Sequence, residues 1–218
     1  MNKTVKKVLQ MVLLVSLLSG CDSADKPTLS LYLAVQNGDI DQIQRHIGWG
    51  ADINQLDVDG HQPLHVAAAQ GELVVIRLLL ENGADIDGLD SEGYSPLHIA
   101  IMGGKTQVAD FLIKQGAAYD ANSLLFAAIE NQVIDRDVFR LLTSLDADVN
   151  LPDSEGYTPL ILAINADDRR LVKYLITQGD ADPNKRGKAG KSPLYLATER
   201  GDADIIRLLK RHGAKLEP

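Results

Sequence analysis

An all-α solenoid of about six helix pairs is the fold class that this 218-residue sequence predicts. Three observations lead there. First, "DGHQPLHVAAAQGELVVIRLLLENGADID", starting at Asp59, aligns without a gap with "EGYSPLHIAIMGGKTQVADFLIKQGAAYD", starting at Glu92, at an offset of 33 residues. Second, Val75, Leu78 and Leu79, and again Ile205, Leu208 and Leu209, recur at i, i+3, i+4 and form the apolar face of a helix. Third, a helix pair this short cannot bury such a face alone, so successive copies must stack on one another.

The same frame runs back to Ala34 and Gly50 and forward through "EGYTPLILAINADDRRLVKYLITQGDADPN" and "AGKSPLYLATERGDADIIRLLKRHGAKLE". Ala34, Ala67, Ala100, Ala127, Ala163 and Ala197 mark six first helices, giving units of about 31–58, 59–91, 92–121, 122–152, 153–186 and 187–218. The first and last units read as caps. Within a unit, Gly60, Gly93, Gly156 and Gly190 sit in a polar turn where a positive φ is expected. Ser95, Thr158 and Ser192 are N-cap residues, each followed by a proline at N1, where a missing N–H does no harm. Small alanines let the first helix approach its neighbours. Gly83, Gly116, Gly179 and Gly213 are expected to end the second helices in the left-handed conformation.

The fourth unit departs from the frame. Gly116 to Ala127 spans 11 residues where Gly83 to Ala100 spans 17, so the polar turn is missing there, and "ENQVIDR" widens the loop between the unit's two helices. Either this is a degenerate repeat, or it is a notch that admits a protruding part of a partner.

The pattern xGxTPLHxAAxxG…VxxLLxxGAxxN resembles that of the ankyrin repeat over nearly all of residues 31–218. The resemblance implies short β-turn fingers before each first helix, and a protein partner held on a concave surface of finger tips and first helices. Carried over by position, that surface takes Asp59, His61, Glu92, Tyr94, Glu155, Tyr157, Lys188 and Lys191 from the fingers, and Gln70, Met102, Glu130 and Asn165 from the first helices. Tyr94 and Tyr157 are either interface anchors or local packing between fingers. His65 and His98, in equivalent Pro-Leu-His segments, are implied to bond neighbouring backbone rather than to bind a ligand. Trp49, at the end of a second helix, lies off the concave surface and is expected to cover the N-terminal cap.

The N-terminus carries a different signal. Lys3, Lys6 and Lys7 precede an apolar run from Val8 to Leu18, then Ser19, Gly20 and the sole cysteine, Cys21. This is the three-part layout of a secretory signal, and the run is too short to span a bilayer, which takes roughly 20 apolar residues. Leu18-Ser19-Gly20-Cys21 resembles the lipobox of bacterial lipoprotein precursors. The resemblance implies cleavage after residue 20 and acylation of Cys21. It also implies retention at the inner membrane through Asp22, and a periplasm-facing body on a polar tether of residues 21–30. Nine extended residues after Cys21 reach only ~30 Å. Without residues 1–20 the chain has 19 basic against 30 acidic residues, a net of −11.

Catalysis has no visible candidate. "GKAGKS" ends like a phosphate-binding loop, but Lys185 stands where that motif needs a glycine, and the repeat frame makes Gly190 a finger residue. No HExxH, CxxC or GxSxG occurs, and Asp85 with Asp87, or Asp135 with Asp137, read as solvated loop charges. No cofactor or metal is expected. Net negative charge argues against nucleic acid. From Leu31 to Asp168 there are 22 acidic and six basic residues, a net of −16; from Arg169 to Pro218 there are six and 12, a net of +6. The expected function is therefore non-enzymatic: binding or inhibiting a periplasmic or envelope protein from a lipid anchor. An immunity protein against an envelope-targeting toxin is one version and a scaffold for an envelope stress enzyme is another. A hydrolase with an unrecognised site is the rival of a different class.

Overall fold

The computed structural model describes residues 26–133, 135–188 and 190–216, so the leader, Cys21 and Asp22 lie outside the described residues. Six antiparallel helix pairs follow one another: α1 (Leu31–Gln36) with α2 (Ile40–Gly48), α3 (Pro63–Gln70) with α4 (Leu73–Glu81), α5 (Pro96–Met102) with α6 (Thr106–Lys114), α7 (Ala121–Glu130) with α8 (Arg136–Ser144), α9 (Pro159–Asn165) with α10 (Arg169–Thr177), and α11 (Pro193–Arg200) with α12 (Ala203–Arg211). Among the described residues there is no strand. Each first helix packs on the next first helix, and in the second layer α6 stacks on α8 and α10 on α12 in the same way. The result is a two-layer solenoid, as the sequence predicts.

The reason for this packing is a pair of residues repeated once per unit. Leu64, Leu97, Leu125, Leu160 and Leu194 are buried, and Ala34, Ala67, Ala100, Ala128, Ala163 and Ala197 have no exposed surface at all. Each of these alanines also offers its carbonyl to an N–H between the two helices of its unit: Glu72 and Lys105, the N-caps of α4 and α6, bond Ala67 and Ala100, and Val133 in the widened loop bonds Ala128. A larger side chain at the alanine would push the layers apart in an interior packed as densely as an organic crystal.

Two expectations are corrected here. The fourth first-helix alanine is Ala128, not Ala127, which is half-buried on the neighbouring helix face. The unit is therefore five residues short rather than six. Gly179 is also not left-handed. Asp180 takes the positive φ instead (57°), because the N–H of Ala181 reaches back six residues to the Leu175 carbonyl where Ala84 reaches back five to Leu79. One extra residue in that turn displaces the left-handed position by one. At Gly83, Gly116 and Gly213 the positive φ is present as expected.

The fourth unit reuses its missing finger. Pro63, Pro96, Pro159 and Pro193 open their helices at N1. Leu124 occupies that position in α7. Its N–H bonds the Asp120 carbonyl at 3.0 Å, so the helix extends back to Ala121 and runs ten residues, with the Asp120 side chain as cap. Proline would have removed that bond. The widened loop is also present: five residues separate α7 from α8 where two separate α3 from α4.

Between units runs a ladder of Asn and Asp side chains. Asn54 Oδ1 accepts from the Asp85 N–H (2.8 Å) while its amide donates to the Gly83 carbonyl (3.1 Å). Asn150 does the same with Asp182 (2.7 Å) and Asp180 (3.0 Å), and Asn184 with Lys215 and Gly213. Asp87, having no donor, makes only the bond from the Ala118 N–H (2.8 Å), and Asn122 accepts from Asp148 (2.7 Å). Asp87 is thus an inter-repeat staple, and Asp135 the N-cap of α8, rather than simple solvated charges. The expected N-caps Ser95, Thr158 and Ser192 accept from His98, Ile161 and Tyr195. At the far end Asp202 caps α12. Burial works against its charge, but the N–H groups of Ile205 and Asp204 and the Arg169 guanidinium, 2.8 Å away, hold the carboxyl below its usual range.

The ladder predicts a graded cost of truncation. Asn150→Ala removes two inter-repeat bonds and Asp87→Ala one, so urea unfolding should show losses of about 2 and about 1 kcal/mol at an unchanged m-value.

Candidate protein-binding surface

The fingers are built by a residue that the sequence reading passed over. Asp57, Asp90 and Asp153 each lie four residues before His61, Tyr94 or Tyr157. Each carboxylate accepts two backbone N–H groups at 2.8–2.9 Å: Asp59 and His61, Glu92 and Tyr94, Glu155 and Tyr157. The Asp N–H meanwhile donates to the carbonyl four residues on, closing the turn. The signal that reveals them is an Asp recurring at the repeat spacing three residues before the finger glycine. In the last finger Gly187 replaces the Asp and keeps only the backbone bond to Lys191. A Cβ there would come within 3.0 Å of Ile161 and 3.4 Å of the Tyr157 ring.

Four fingers are present and they form two pairs. In the first, the Ser91 N–H donates to the Gly60 carbonyl (2.9 Å), and a Cβ on Gly60 would fall 2.1 Å from Ser91 Oγ, so only glycine fits. His65 Nε2 donates to the Tyr94 carbonyl (2.9 Å) and ties α3 to the next finger. In the second pair Gly156 packs against Lys188, and Tyr157 lies over Gly187. Between the pairs, where a finger of the fourth unit would stand, α7 starts directly. Tyr94 and Glu92 stand on one side of this gap, and Tyr157 and Glu155 on the other.

The gap also explains a correction. His98 was expected to bond neighbouring backbone as His65 does, but the next finger that would supply the carbonyl is absent. His98 Nδ1 instead takes the Ser95 hydroxyl (2.9 Å), and its ring lies 6.1 Å from the Tyr94 ring. Both histidines titrate below the ordinary imidazole range because burial disfavours the cation; the Tyr94 carbonyl at His65, and Asp90 at both, oppose this only in part.

The other residues predicted for the surface are placed as follows. Asp59, Gln70, Glu92, Glu130, Glu155, Asn165 and Lys188 are exposed, and His61, Tyr94, Met102, Tyr157 and Lys191 are half-buried. All come from fingers or first helices. Lys191 is engaged within the chain: its ammonium lies 2.7 Å from Glu199 and over the Tyr195 ring. The two tyrosines both pack locally, on His98 and on Gly187. Trp49 is the C-cap of α2 and more than half exposed. Gly190 (φ 72°) and the capping Ser192 place "GKAGKS" in a finger and helix start. Among the described residues, no group of three or more His, Cys, Asp or Glu side chains is arranged to hold a metal ion, and no helix is long and apolar enough to cross a membrane.

The family model for ankyrin repeats in three copies matches residues 31–123 and again 124–218. The chain belongs to the ankyrin-repeat family. No curated protein matches it. Among solved structures it is similar to the human ASB11 ankyrin repeat domain, at 25% identity and a TM-score of 0.71, covering 87% of this chain and 86% of that one. It is also similar to an ankyrin repeat domain, ABAYE2397, from Acinetobacter baumannii (28%, TM-score 0.65, 85% and 98% covered). A chain in the Bdellovibrio bacteriovorus structure of the predatory endopeptidase Bd0816 in complex with immunity protein Bd3460 shares the fold at 24% identity (TM-score 0.67, 85% and 99% covered). Ankyrin repeats are protein-interaction modules, and this array offers fingers and first helices for that purpose.

The two imidazoles give a pH test. Their folded pKa lies below the unfolded value of about 6.5, so the stability they contribute is present above that pH and is lost as pH falls through the folded values. NMR titration should place both midpoints below about 6.5, and urea unfolding should show a smaller loss between neutral and acid pH in His98→Gln than in the parent.

Proposed function

We propose that this ankyrin array is a lipid-anchored envelope protein that binds and inhibits a periplasmic protein, as an immunity protein does for an envelope-targeting toxin. The observation that carries the reading is the interrupted row of fingers. Two finger pairs, one hydrogen-bonded and one packed together, flank a gap edged by Glu92, Tyr94, Glu155 and Tyr157, which suits one protruding segment of a partner better than a flat surface. The exposed carboxylates at both edges favour a basic segment, with fast and salt-sensitive association. The lipobox at Leu18–Cys21 supports anchoring, and Asp22 supports the inner membrane. The Bdellovibrio likeness is one of fold; it supplies a partner class, an endopeptidase, with which testing begins.

The test is capture of the tagged protein with its partners from crosslinked, detergent-solubilised envelopes. Glu92→Lys with Glu155→Lys should lower recovery of the specific partner by tenfold or more while leaving the fold intact, since both side chains are exposed. Equal recovery by parent and variant would sink the gap as the binding site. A captured toxin or peptidase should be inhibited at equimolar ratio, with affinity falling as salt rises.

Anchoring is tested separately. Cys21→Ala should abolish incorporation of labelled palmitate and leave the leader uncleaved, and Asp22→Ser should shift the protein toward the outer membrane in density fractionation. Unchanged fractionation of the second variant would remove the inner-membrane assignment.

A further inference from the structure

The charge of this chain is divided between the two layers of the solenoid as well as along its length. On α8, α10 and α12, the second helices of the last three units, stand Arg136, Arg140, Arg169, Arg170, Lys173, Arg207, Lys210 and Arg211. α4 and α6 carry only Arg77 and Lys114. Some of these cations are neutralised locally: Arg140 pairs with Asp137, Arg169 with Asp202 and Asp204, and Arg207 with Asp204. Arg136, Arg170, Lys173, Lys210 and Arg211 are exposed and have no ion pair among the described residues.

These cations share a continuous surface. Between α8 and α10 lies a shallow groove of about 270 Å³ with an apolar floor of Phe139, Leu171 and Tyr174 and a rim of Arg136, Arg170 and Lys173, together with Asp168, whose carboxylate caps α10. Lys173 also borders a second groove, between α10 and α12, with Arg207, Arg211 and Asp204, the last paired with Arg169 and Arg207. An apolar floor under an unneutralised cationic rim matches the boundary of an anionic bilayer, where phosphates lie above acyl chains.

We infer that the second-helix layer of units four to six docks on an anionic phospholipid bilayer. A second observation concerns where the chain leaves the array. The segment leading out of the array toward Cys21 is held on the second-helix layer: the Thr28 N–H donates to Gln42 Oε1 (2.9 Å), and His46 Nε2 donates to the Leu29 carbonyl (2.7 Å), both from α2. The chain is therefore fastened to α2 from residue 28, and residues 22–27 span at most ~20 Å when extended. If Cys21 is acylated, the layer that carries the cations also carries the anchor.

The net negative charge of the chain does not oppose this. Asp137 and Asp204 on these helices are paired with Arg140, Arg169 and Arg207, and Asp135, Asp168 and Asp202 serve as their N-caps. The acidic fingers lie one helix layer, ~10 Å or more, beyond the cations, which is at least a Debye length at physiological ionic strength. A bilayer therefore meets the basic layer first and sees the acidic one screened. Docked this way, the array lies along the membrane with its finger gap facing away from it.

The inference adds an orientation to the envelope reading of the preceding subsection, and the two fail separately, because the vesicle experiment uses no lipid anchor. The core side chains among the described residues all come from Leu31 onward, so residues 26–218 carry all six helix pairs and the core they share. This protein is sedimented with vesicles of equimolar phosphatidylglycerol and phosphatidylcholine, or of phosphatidylcholine alone, at low and at high salt. It should bind the anionic vesicles at low salt, release at high salt and ignore the neutral ones. Arg170→Gln with Lys173→Gln should weaken partitioning by about 25-fold, at about fivefold per cation. Lys105→Gln with Lys185→Gln removes the same charge elsewhere and should change it less than about twofold. Circular dichroism confirms that each variant is folded. Equal binding to neutral vesicles, no binding to anionic ones, or a folded Arg170/Lys173 variant that partitions like the parent would each overturn the inference.

Discussion

Close approach between consecutive helix pairs is the constraint from which the rest of this structure follows. One alanine per unit, from Ala34 to Ala197, is fully enclosed, and its carbonyl holds the turn toward the second helix. With that spacing set, the leucine three residues before the alanine fills the space between units, and the Asn and Asp side chains of the connecting loops come within bonding distance of the next unit. No unit could hold this geometry alone, since each one buries its apolar face against its neighbour.

The fold was legible because its signals are periodic. A 33-residue offset, prolines at N1 and glycines after the second helices each repeat several times, so single exceptions do not hide them. The exceptions themselves were read less well. "FAAIE" offers two adjacent alanines, and only the bond from Val133 to Ala128 distinguishes which one faces the neighbouring helix. Gly179 looks like any other C′ glycine until the extra residue in "QGDAD" moves the left-handed position to Asp180. Asp57, Asp90 and Asp153 escaped notice because acidic residues are common throughout this half of the chain, and their periodicity is obscured by the ordinary solvated carboxylates around them.

The binding surface was legible in outline only. Every residue carried over by position does lie on a finger or first helix, since the frame determines which side of the array a position occupies. What the frame does not encode is how side chains spend their interactions. Lys191 is absorbed by Glu199, Tyr157 covers the next finger, and His98 turns to Ser95 because a finger one unit away is missing. These depend on partners that the repeat frame does not specify, and in one case on a finger that is missing.

That absence has a mechanical consequence. The ladder of loop side chains continues through the fourth unit, from Asp87 to Ala118 and from Asn122 to Asp148, while the fingers above it are interrupted. The finger pairs are thus two jaws mounted on one unbroken rail. Each jaw is stiffened from within, by the Ser91 to Gly60 bond on one side and by Tyr157 seated on Gly187 on the other. No finger contact spans the interruption among the described residues, so the two jaws are joined only through the stack below.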